Sequence, residues 1–517
     1  MKSVMTHTFS QVPKADIPRS TFDRTHGHKT TFDAGYLIPF FVDEALPGDT
    51  FNVKATLFAR LATPIFPLMD NMFMDTQFFA VPLRLIWDNF QKFMGEQTDP
   101  GDSTDFICPT ITAPVGGYAA NSIYDYMGLP TGKAGIEHSA FWLRAYNLIY
   151  NQWYRDQNLV DSLSVPRTDG PDDPALYTLQ RRGKRHDYFT SALPWPQKGE
   201  SVTIPLGDTI PVSVNEVWAG ATQRGTLGHT SAASAGHSVL ETIPLFAGTE
   251  AVALKGVGDM TAGVSATINQ LRQSFQIQKM LERDARGGTR YTEIVKAHFS
   301  VSSPDSRLQR PEFLGGGSHS INITIVPQTS ATGAYADSPQ GNLAAYGVAA
   351  GNNHGFTKSF TEHCVIIGIV SVRADLNYQQ GMDRMWSRSG KYDFYWPALS
   401  HIGEQSVLRK EIYATGIPAE DDTVFGYQER YAEYRYKPSK ITGRFRSSDP
   451  LSLDAWHLAQ DFSTPPVLDK TFIEETPPIS RAIAVTTEPH FLFDSYIQMH
   501  CARPMPVYGV PGLLDHF

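Results

Sequence analysis

The sequence is poor in cysteine and has no long apolar run. Its 3 cysteines, Cys108, Cys364 and Cys501, are far apart and show no CxxC spacing. An odd, scattered set makes a poor disulfide framework and predicts folding in a reducing compartment. The longest apolar run, residues 364–370, is too short to cross a bilayer and is typical of a buried strand. No membrane insertion is therefore expected.

An excess of positive charge and an apolar leader are also missing. The formal net charge is −9, so the surface as a whole is not a cationic nucleic-acid binder, and any DNA contact needs a local basic face. The first residues show no apolar stretch typical of a signal peptide, which predicts synthesis and folding in the cytoplasm.

Enzyme motifs are absent too: we find no HExxH, GxSxG or EF-hand pattern. "GLPTGKA" (128–134) imitates a phosphate-binding loop, but it is one residue short and lacks a Ser or Thr after Lys133. His26 and His28, with His7 upstream, have metal-ligand spacing, yet no cysteine or acidic cluster completes a site. We expect no catalytic residue, no metal and no cofactor.

One stretch, "KRHDYFTSALPWPQKG" (184–199), brings His186, Asp187 and Ser191 together as a hydrolase triad would. Adjacent side chains point apart in strand or loop geometry, so His186 and Asp187 make a poor general-base pair. Trp195 between two prolines is a large, rigid anchor. We therefore interpret the stretch as a structural element and not as a catalytic site.

Strand-forming sequence is abundant. Aromatic residues make up 12% of the chain, and 35 prolines and 41 glycines favour short strands, turns and loops. Alternating or continuous apolar patterns predict strands over 50–61, 72–82, 291–301, 319–327, 362–376 and 491–504. Because no βα rhythm occurs, the pattern favours an antiparallel sandwich or jelly roll with large insertions.

Two segments have helical spacing. Residues 139–158 would bury an aromatic stripe and expose Arg144, Asn147 and Asn151, and residues 265–286 form a second amphipathic segment that ends at a glycine pair. Between them, 201–264 is rich in small residues and has two basic against five acidic residues. It is either an exposed β-rich insertion or a long disordered loop.

The strongest basic segment is "RYAEYRYKPSKITGRFR" (430–446), in which six basic residues face one acidic residue. Cations that follow phosphates and rings that stack on bases are typical of single-strand binding. The predicted nucleic-acid contacts are Arg430, Tyr434, Arg435, Tyr436, Lys437, Lys440, Arg444 and Arg446. An equally weighted alternative is a β-ribbon whose arginines pair with acidic residues of a neighbouring subunit.

Long runs of the chain resemble the major capsid protein of gokushoviruses, small single-stranded DNA phages of the Microviridae. They include "RAYNLIYNQWYRDQN", "RRGKRHDYFTSALPWPQKG", "INQLRQSFQIQKMLERDARGGTRYTEIV", "RLQRPEFLGGGSHSINI" and "YRYKPSKITGRFRSSDPLSLDAWHLAQDF". The segments "SQVPKADIPRSTFDR" and "PVYGVPGLLDHF" resemble the two ends of that family. Only 201–264 shows no match, as expected of a hypervariable insertion.

The resemblance implies an eight-stranded antiparallel jelly roll with long loop and helical insertions. It implies pentamers and a sixty-copy T=1 icosahedral shell around a circular single-stranded DNA genome. The shell would be assembled in the host bacterial cytoplasm with a scaffolding protein. Residues 201–264 would form host-attachment spikes at the threefold axes and meet a surface receptor. Since each subunit carries a charge of −9, we also expect a small basic DNA-binding protein or polyamines inside the particle.

The expected domains are an extended N-terminal arm (1–45), jelly-roll strands with a helical insertion (46–200), the variable insertion (201–264) and the remainder of the jelly roll (265–517). Expected subunit contacts are Trp195, Trp153, Arg283 and Arg286. Two other functions stay open: a trimeric phage receptor-binding protein with 201–264 as its tip, and a β-rich carbohydrate-active enzyme. The enzyme would need two carboxylates at a defined separation across a cleft, and the sequence marks no such pair.

Overall fold

The computed structural model describes residues 18–203, 212–219, 223–225, 252–258, 267–329 and 340–508. The first nine strands are β1 Ser20–Asp23, β2 His26–Phe32, β3 Ile38–Ala45, β4 Thr50–Leu61, β5 Met72–Pro82, β6 Thr110–Thr112, β7 Glu137–Ser139, β8 Val212–Ala219 and β9 Gln223–Gly225. The others are β10 Val252–Gly258, β11 Glu312–Pro327, β12 Leu343–Ser359, β13 Cys364–Ala374, β14 Asn377–Tyr378, β15 Glu404–Leu408, β16 Val424–Glu429, β17 Ser439–Lys440 and β18 Phe491–Arg503.

The helices are short apart from α4. They are α1 Phe90–Phe93, α2 Ile123–Tyr126, α3 Phe141–Ile149, α4 Ile268–Gly287, α5 Tyr291–Phe299, α6 Arg409–Ile412, α7 Pro418–Asp421 and α8 Lys470–Ile473. A π-helical turn, Tyr150–Tyr154, continues α3. Among the described helices, none combines the length and apolar character that a membrane span requires.

The chain divides into two compact units. One comprises Met1–Pro196 and Gly287–Phe517, and the other comprises Gln197–Arg286. The smaller unit has a three-stranded antiparallel sheet in the order β10–β8–β9 and nearly all of α4. The predicted insertion, 201–264, lies within this unit, and its strands agree with the β-rich interpretation. The predicted helix at 265–286 is confirmed as α4, which ends at Gly287.

The larger unit is built on a nine-stranded antiparallel sheet. Eight strands follow the order β1–β18–β4–β12–β11–β5–β13–β3, and β2 also pairs with β18. The predicted alternation is confirmed in β4, where buried and outward residues alternate along the strand. β13 is buried along nearly its whole length, as its continuous apolar run predicts. The mainly β fold, consistent with a viral capsid sandwich, is confirmed.

The sheet curls around one hydrophobic core. Phe51 and Val53 of β4 belong to the same buried cluster as Phe78 of β5 and Ile366 of β13, although these strands lie in different halves of the sheet. A second core covers the outer face of β5 and β13, where α3 and its flanking loops pack on residues such as Phe79. Inward and outward faces of this half are therefore both covered, which explains the unbroken apolar run of β13.

Three polar residues of α3 and its π-helical extension differ from the expectation. Arg144, Asn147 and Asn151 were expected on a solvated face, but all three are buried. Arg144 pairs with Asp172, Asn147 donates to the Ser164 carbonyl, and Asn151 donates to the Leu163 carbonyl. A buried polar group is stable when its hydrogen bonds are made, and here loops remote in sequence supply them.

Two further expectations need correction. Residues 20–45 are not an arm outside the core, because β1, β2 and β3 belong to the main sheet and Phe41 is buried in the core. The segment 291–301 was expected to be a strand, but Tyr291–Phe299 is the helix α5. Its Glu293 carboxylate accepts from the Arg290 backbone N–H at 3.1 Å. This cap satisfies a free donor at the start of the helix.

Candidate nucleic-acid and subunit interface

The predicted basic segment lies against a second segment rich in exposed rings. We call residues 384–402 and 430–446 together the basic–aromatic surface. Seven of its rings are between 46% and 71% exposed: Trp386, Tyr392, Phe394, Tyr395, Trp396, Tyr434 and Tyr436. Exposed aromatic groups at this density mark an interaction surface rather than an ordinary solvated face.

Backbone and ring contacts hold the two segments together. Tyr392 offers its carbonyl oxygen to an Arg430 guanidinium nitrogen and to the Tyr431 hydroxyl, both at 3.2 Å. The ring of Tyr395 meets those of Tyr431 and Tyr434 edge-on, with centroids 5.2 and 6.1 Å apart. Edge-to-face geometry of this kind is favourable between aromatic rings. The surface is thus a packed assembly that presents its remaining rings outward.

Most cations of this surface already have partners in the same chain. Arg435 forms an ion pair with Glu429. Asp383 binds Lys437 at 2.6 Å and Lys440 at 2.7 Å. Burial opposes ionisation of Asp383, but these two ammonium groups outweigh it and hold the pKa of its carboxyl below the usual range. Three of the six basic residues of 430–446 therefore already face an acidic partner, and Lys437 and Lys440 share one carboxylate.

Arg388 follows the same pattern. It lies 3.4 Å from a Glu433 oxygen, and its guanidinium is 4.3 Å from the centre of the Tyr434 ring.

Arg444 donates to the carbonyl oxygen of Leu451 at 2.9 Å. Arg446 is exposed and lines a small cleft with Lys440. The eight predicted residues thus fall within one locally folded segment, and their electrostatic environments differ.

The alternative β-ribbon is not what the segment forms. Residues 430–446 fold mainly as loops with two 3₁₀ turns, Ala432–Tyr434 and Gly443–Phe445. Only Ser439–Lys440 is a strand, and it pairs in parallel with Asn377–Tyr378. The acidic partners of Arg435, Lys437 and Lys440 lie in the same chain, so their pairing needs no neighbouring subunit.

Sequence reasoning missed the ring-rich half of this surface. The signal was visible as "RMWSRSGKYDFYWP" (384–397), which contains five aromatic and three basic residues. The two segments of the surface are separated by residues 403–429 in the sequence, and local patterning does not show that they meet. A search for dense aromatic–basic stretches would have found it.

The four predicted subunit-contact residues have different environments. Trp153 packs inside the chain: its indole N–H donates to the Pro311 carbonyl at 3.0 Å and its ring lies under Arg310 at 4.6 Å. Trp195 is partly exposed. Within the smaller unit, Arg283 and Arg286 are exposed near the end of α4.

The stretch 184–199 contains no triad. His186 is exposed, whereas Asp187 accepts hydrogen bonds from the backbone N–H groups of Phe189 and Thr190 and from the Tyr378 hydroxyl. The Ser191 hydroxyl donates to the Asp187 carbonyl. Asp187 therefore organises a turn, as the architectural interpretation predicts. Among the residues that the structure describes, no group of three or more His, Cys, Asp or Glu side chains is arranged to hold a metal ion.

Comparison with known proteins identifies the class of molecule. The chain matches the family described as "Capsid protein (F protein)" over residues 10–513. It belongs to this phage capsid protein family. Capsid protein VP1 of Bdellovibrio phage phiMH2K is 48% identical over 528 residues, covering 99% of this chain and 98% of the relative.

Two further relatives of the F-protein family agree. Capsid protein VP1 of Chlamydia phage 1 is 45% identical and that of Spiroplasma virus 4 is 36% identical, over 99% and 98% of this chain and 98% and 97% of those proteins. The chain is accordingly a structural protein of microvirus-type phage particles, not an enzyme. Its place is in the virion, and the resemblance to gokushovirus capsid proteins is confirmed.

Proposed function

We propose that this capsid protein assembles into pentamers and then into a sixty-copy T=1 icosahedral shell that encloses a circular single-stranded DNA genome. The observation that carries the proposal is the match to phage capsid proteins over 98% or more of the chain. The exposed rings of the basic–aromatic surface support it, because a self-assembling, genome-enclosing subunit needs such contact surfaces.

The basic–aromatic surface is proposed to contact the packaged DNA. Tyr434 and Tyr436 are about half exposed, so bases can stack on their faces. Lys437 keeps 67% of its side-chain surface open although it pairs with Asp383, so a phosphate can reach it. Since Glu429, Glu433 and Asp383 already pair with Arg435, Arg388 and the two lysines Lys437 and Lys440, stacking would supply a large share of the affinity beside the remaining charge.

The same surface has a second candidate role, as a contact between subunits. Interfaces between proteins are enriched in aromatic residues, Met and Arg, and pre-paired cations such as Arg388 and Arg435 fit that composition. Replacing Trp386 and Tyr395 with Ala separates the roles. Intact particles with less DNA would support the nucleic-acid contact, whereas loss of particles with unchanged DNA affinity of the subunit would support the subunit contact.

Further partners follow from the family and from the charge. Residues 201–264 are proposed to form threefold spikes that bind a host receptor. A net charge of −9 per subunit cannot neutralise packaged DNA, so a small basic protein or polyamines would accompany the genome. Condensation of DNA by this chain alone at physiological salt would contradict the need for a basic protein or polyamines. A scaffolding protein would guide assembly in the bacterial cytoplasm.

The mass of the native particle tests the central proposal. One chain weighs 57.4 kDa, so a pentamer would weigh about 290 kDa and a sixty-copy shell about 3.4 MDa before DNA, if closed symmetry holds. Sedimentation or single-particle mass measurement on phage material distinguishes the cases. A particle of that mass that absorbs like nucleic acid would support the proposal. A monomer or trimer from infected cells would contradict it and favour a receptor-binding protein.

A further inference from the structure

The main sheet is covered unequally on its two halves. The outer face of β5 and β13 lies under α3 and its flanking loops. On the other half, the outward side chains of β4 and β18 stay open to solvent among the described residues. Phe58 is 47%, Leu492 57% and Tyr496 51% exposed. Large apolar side chains left open on one face of a sheet need a reason.

These three side chains form one strip because of the strand register. Phe58 on β4 stands opposite Asp494 on β18, so Leu492 and Tyr496 are its diagonal neighbours, at about 7–8 Å. Ala350 of β12 stands on the other side of Phe58 and is exposed as well. The strip therefore crosses three hydrogen-bonded strands.

Two cations border the strip. Lys54 and Arg60 point outward from β4 on either side of Phe58, about 20 Å apart for six residues of strand. Both are exposed, and neither has an acidic partner among the described residues. Two carboxylates near the strip have partners of their own: Asp494, opposite Phe58, pairs with its β2 neighbour Lys29 at 2.7 Å, and Asp23 accepts from Thr25.

We infer that Lys54, Phe58, Arg60, Leu492 and Tyr496, the sheet platform, bind an unpaired DNA strand, with Phe58 and Tyr496 stacking on bases and Lys54 and Arg60 contacting phosphates. Rings carried by a sheet can stack on bases only when those bases are unpaired. The inference rests on the proposed function, because a shell that encloses single-stranded DNA brings this ligand to the subunit.

Charge complementarity favours a DNA strand over a second protein copy. An interface between copies would bury Lys54 and Arg60, and a buried cation without a partner is costly. A phosphate backbone supplies that partner at every nucleotide. The platform also differs from the basic–aromatic surface, where Arg388, Arg435 and Lys437 are already paired. Binding to the platform should therefore depend more strongly on salt.

The experiment compares three variants of the full-length subunit with a fluorescent single-stranded thymidine oligonucleotide as probe. They are Lys54→Gln with Arg60→Gln, Phe58→Ala, and Tyr496→Ala. The matched control is Lys133→Gln with Arg307→Gln, which removes the same charge from two exposed cations outside the platform. Fluorescence anisotropy gives the dissociation constant at several salt concentrations, and a duplex of equal length is the second probe.

We expect the Lys54/Arg60 variant to reduce the slope of log affinity against log salt by about 1.4, for two lost phosphate contacts. Each ring variant should weaken single-strand binding at least about fivefold, and the control should change neither quantity. The inference is overturned if the unaltered subunit does not bind the single strand, if it prefers the duplex, or if the Lys54/Arg60 variant behaves like the control.

Measuring the particle mass distinguishes a failure of this inference from a failure of the proposed function. DNA-filled particles of sixty copies, together with unchanged oligonucleotide binding in the platform variants, would remove the platform and leave the shell intact. Failure of the unaltered chain to form any such particle in infected cells would remove the proposed function. Platform variants that bind DNA normally but do not assemble would assign this face to a contact between copies.

Discussion

Arg144 and Asp172 form a two-pronged ion pair that solvent does not reach. Two guanidinium nitrogens of Arg144 lie 2.7 and 2.6 Å from the two carboxylate oxygens of Asp172, and a third donates to the Ile86 carbonyl at 3.0 Å. The Tyr177 hydroxyl completes the site by donating to Asp172 at 2.6 Å. Ile86 follows β5, and Asp172 and Tyr177 lie on the segment after α3, so the pair ties α3 to both segments.

Removing one member of this pair should destabilise the subunit strongly. Arg144→Met leaves the Asp172 carboxylate buried without its cation, and we expect the free energy of unfolding to fall by about 3–5 kcal/mol. Denaturant titration measures this fall. The control, Arg185→Met, breaks an exposed pair with Asp375 at 3.7 Å and should cost no more than about 1 kcal/mol. Equal losses of unfolding free energy in the two variants would contradict the prediction that the buried pair contributes more than the exposed pair.

The stability of the subunit should fall in mild acid, partly because of His354. Burial, and then the neighbouring His319, lower the pKa of His354 from its ordinary 6.5. As the pH drops below about 6.5, His354 binds a proton in the unfolded chain but not yet in the folded chain. This difference in proton binding favours unfolding until the pH reaches the lower pKa that His354 has in the folded state. Above about 6.5 both states are neutral and the effect vanishes.

The variant His354→Gln should therefore lose less stability between about pH 7 and pH 5 than the parent. Denaturant titrations at the two pH values give this difference. His28, His138 and His490 also have lowered pKa values because of burial, so part of the acid sensitivity should remain. The exposed His186 provides the control: a His186→Gln variant with the same reduced sensitivity would refute the assignment.

The imidazoles of His319 and His354 stack at 4.4 Å, and glycines leave room for them. A Cβ on Gly351 would lie 2.4 Å from His319 Cδ2. Gly351→Ala should therefore cost about 1–3 kcal/mol of stability, and adding His319→Ala should recover part of it. Gly27→Ala, whose Cβ would meet nothing closer than 3.7 Å, is the control for glycine loss in a strand. If Gly351→Ala and Gly27→Ala lowered the unfolding temperature equally, a clash with His319 would not be the cause of the loss.

Charge reversal at Arg435 and Arg444 should reduce packaged DNA or particle yield without unfolding the subunit. Both side chains are exposed, so glutamate fits at either position. Quantifying DNA per particle tests the proposed contact. Lys133→Glu with Arg307→Glu makes the same change of charge elsewhere and should have little effect. Intact particles with a normal DNA content would remove these residues from the DNA contact.

Replacing residues 226–251 should alter host attachment before it alters assembly. These residues lie outside those that the structure describes, so the expectation rests on the proposed spike role of 201–264. Adsorption of particles to cells measures attachment, and particle mass measures assembly. Variants that adsorb normally but fail to assemble would reverse the assignment.

Local patterning predicted five of the nine strands of the main sheet, β4, β5, β11, β13 and β18, but not β1, β2, β3 or β12. Alternation revealed β4, and a continuous apolar run revealed β13, because burial on one or two faces leaves a direct mark on sequence. The helix α5 was missed because the Glu293 cap that starts it is a weaker signal than the β-branched residues inside it.

The environment of polar groups was less accessible to sequence reasoning. Arg144 has helical spacing that is typical of a solvated face, and only the distant Asp172 makes its burial possible. The same holds at the basic–aromatic surface. Residues 430–446 look strongly basic, but Asp383 lies more than forty residues away and neutralises Lys437. Partners that are remote in sequence and near in space leave no periodic signal.

The position of β18 sets the order of events during synthesis. This strand, Phe491–Arg503, lies between β1 and β4, although β4 ends at Leu61, which is 491 − 61 = 430 residues earlier. The N-terminal strands leave the ribosome long before their central partner exists. A nascent chain therefore keeps the edge of β4 unpaired until almost all of the protein has been made. Products that end before β18 cannot complete the sheet, so we expect only chains that extend through Arg503 to enter a particle.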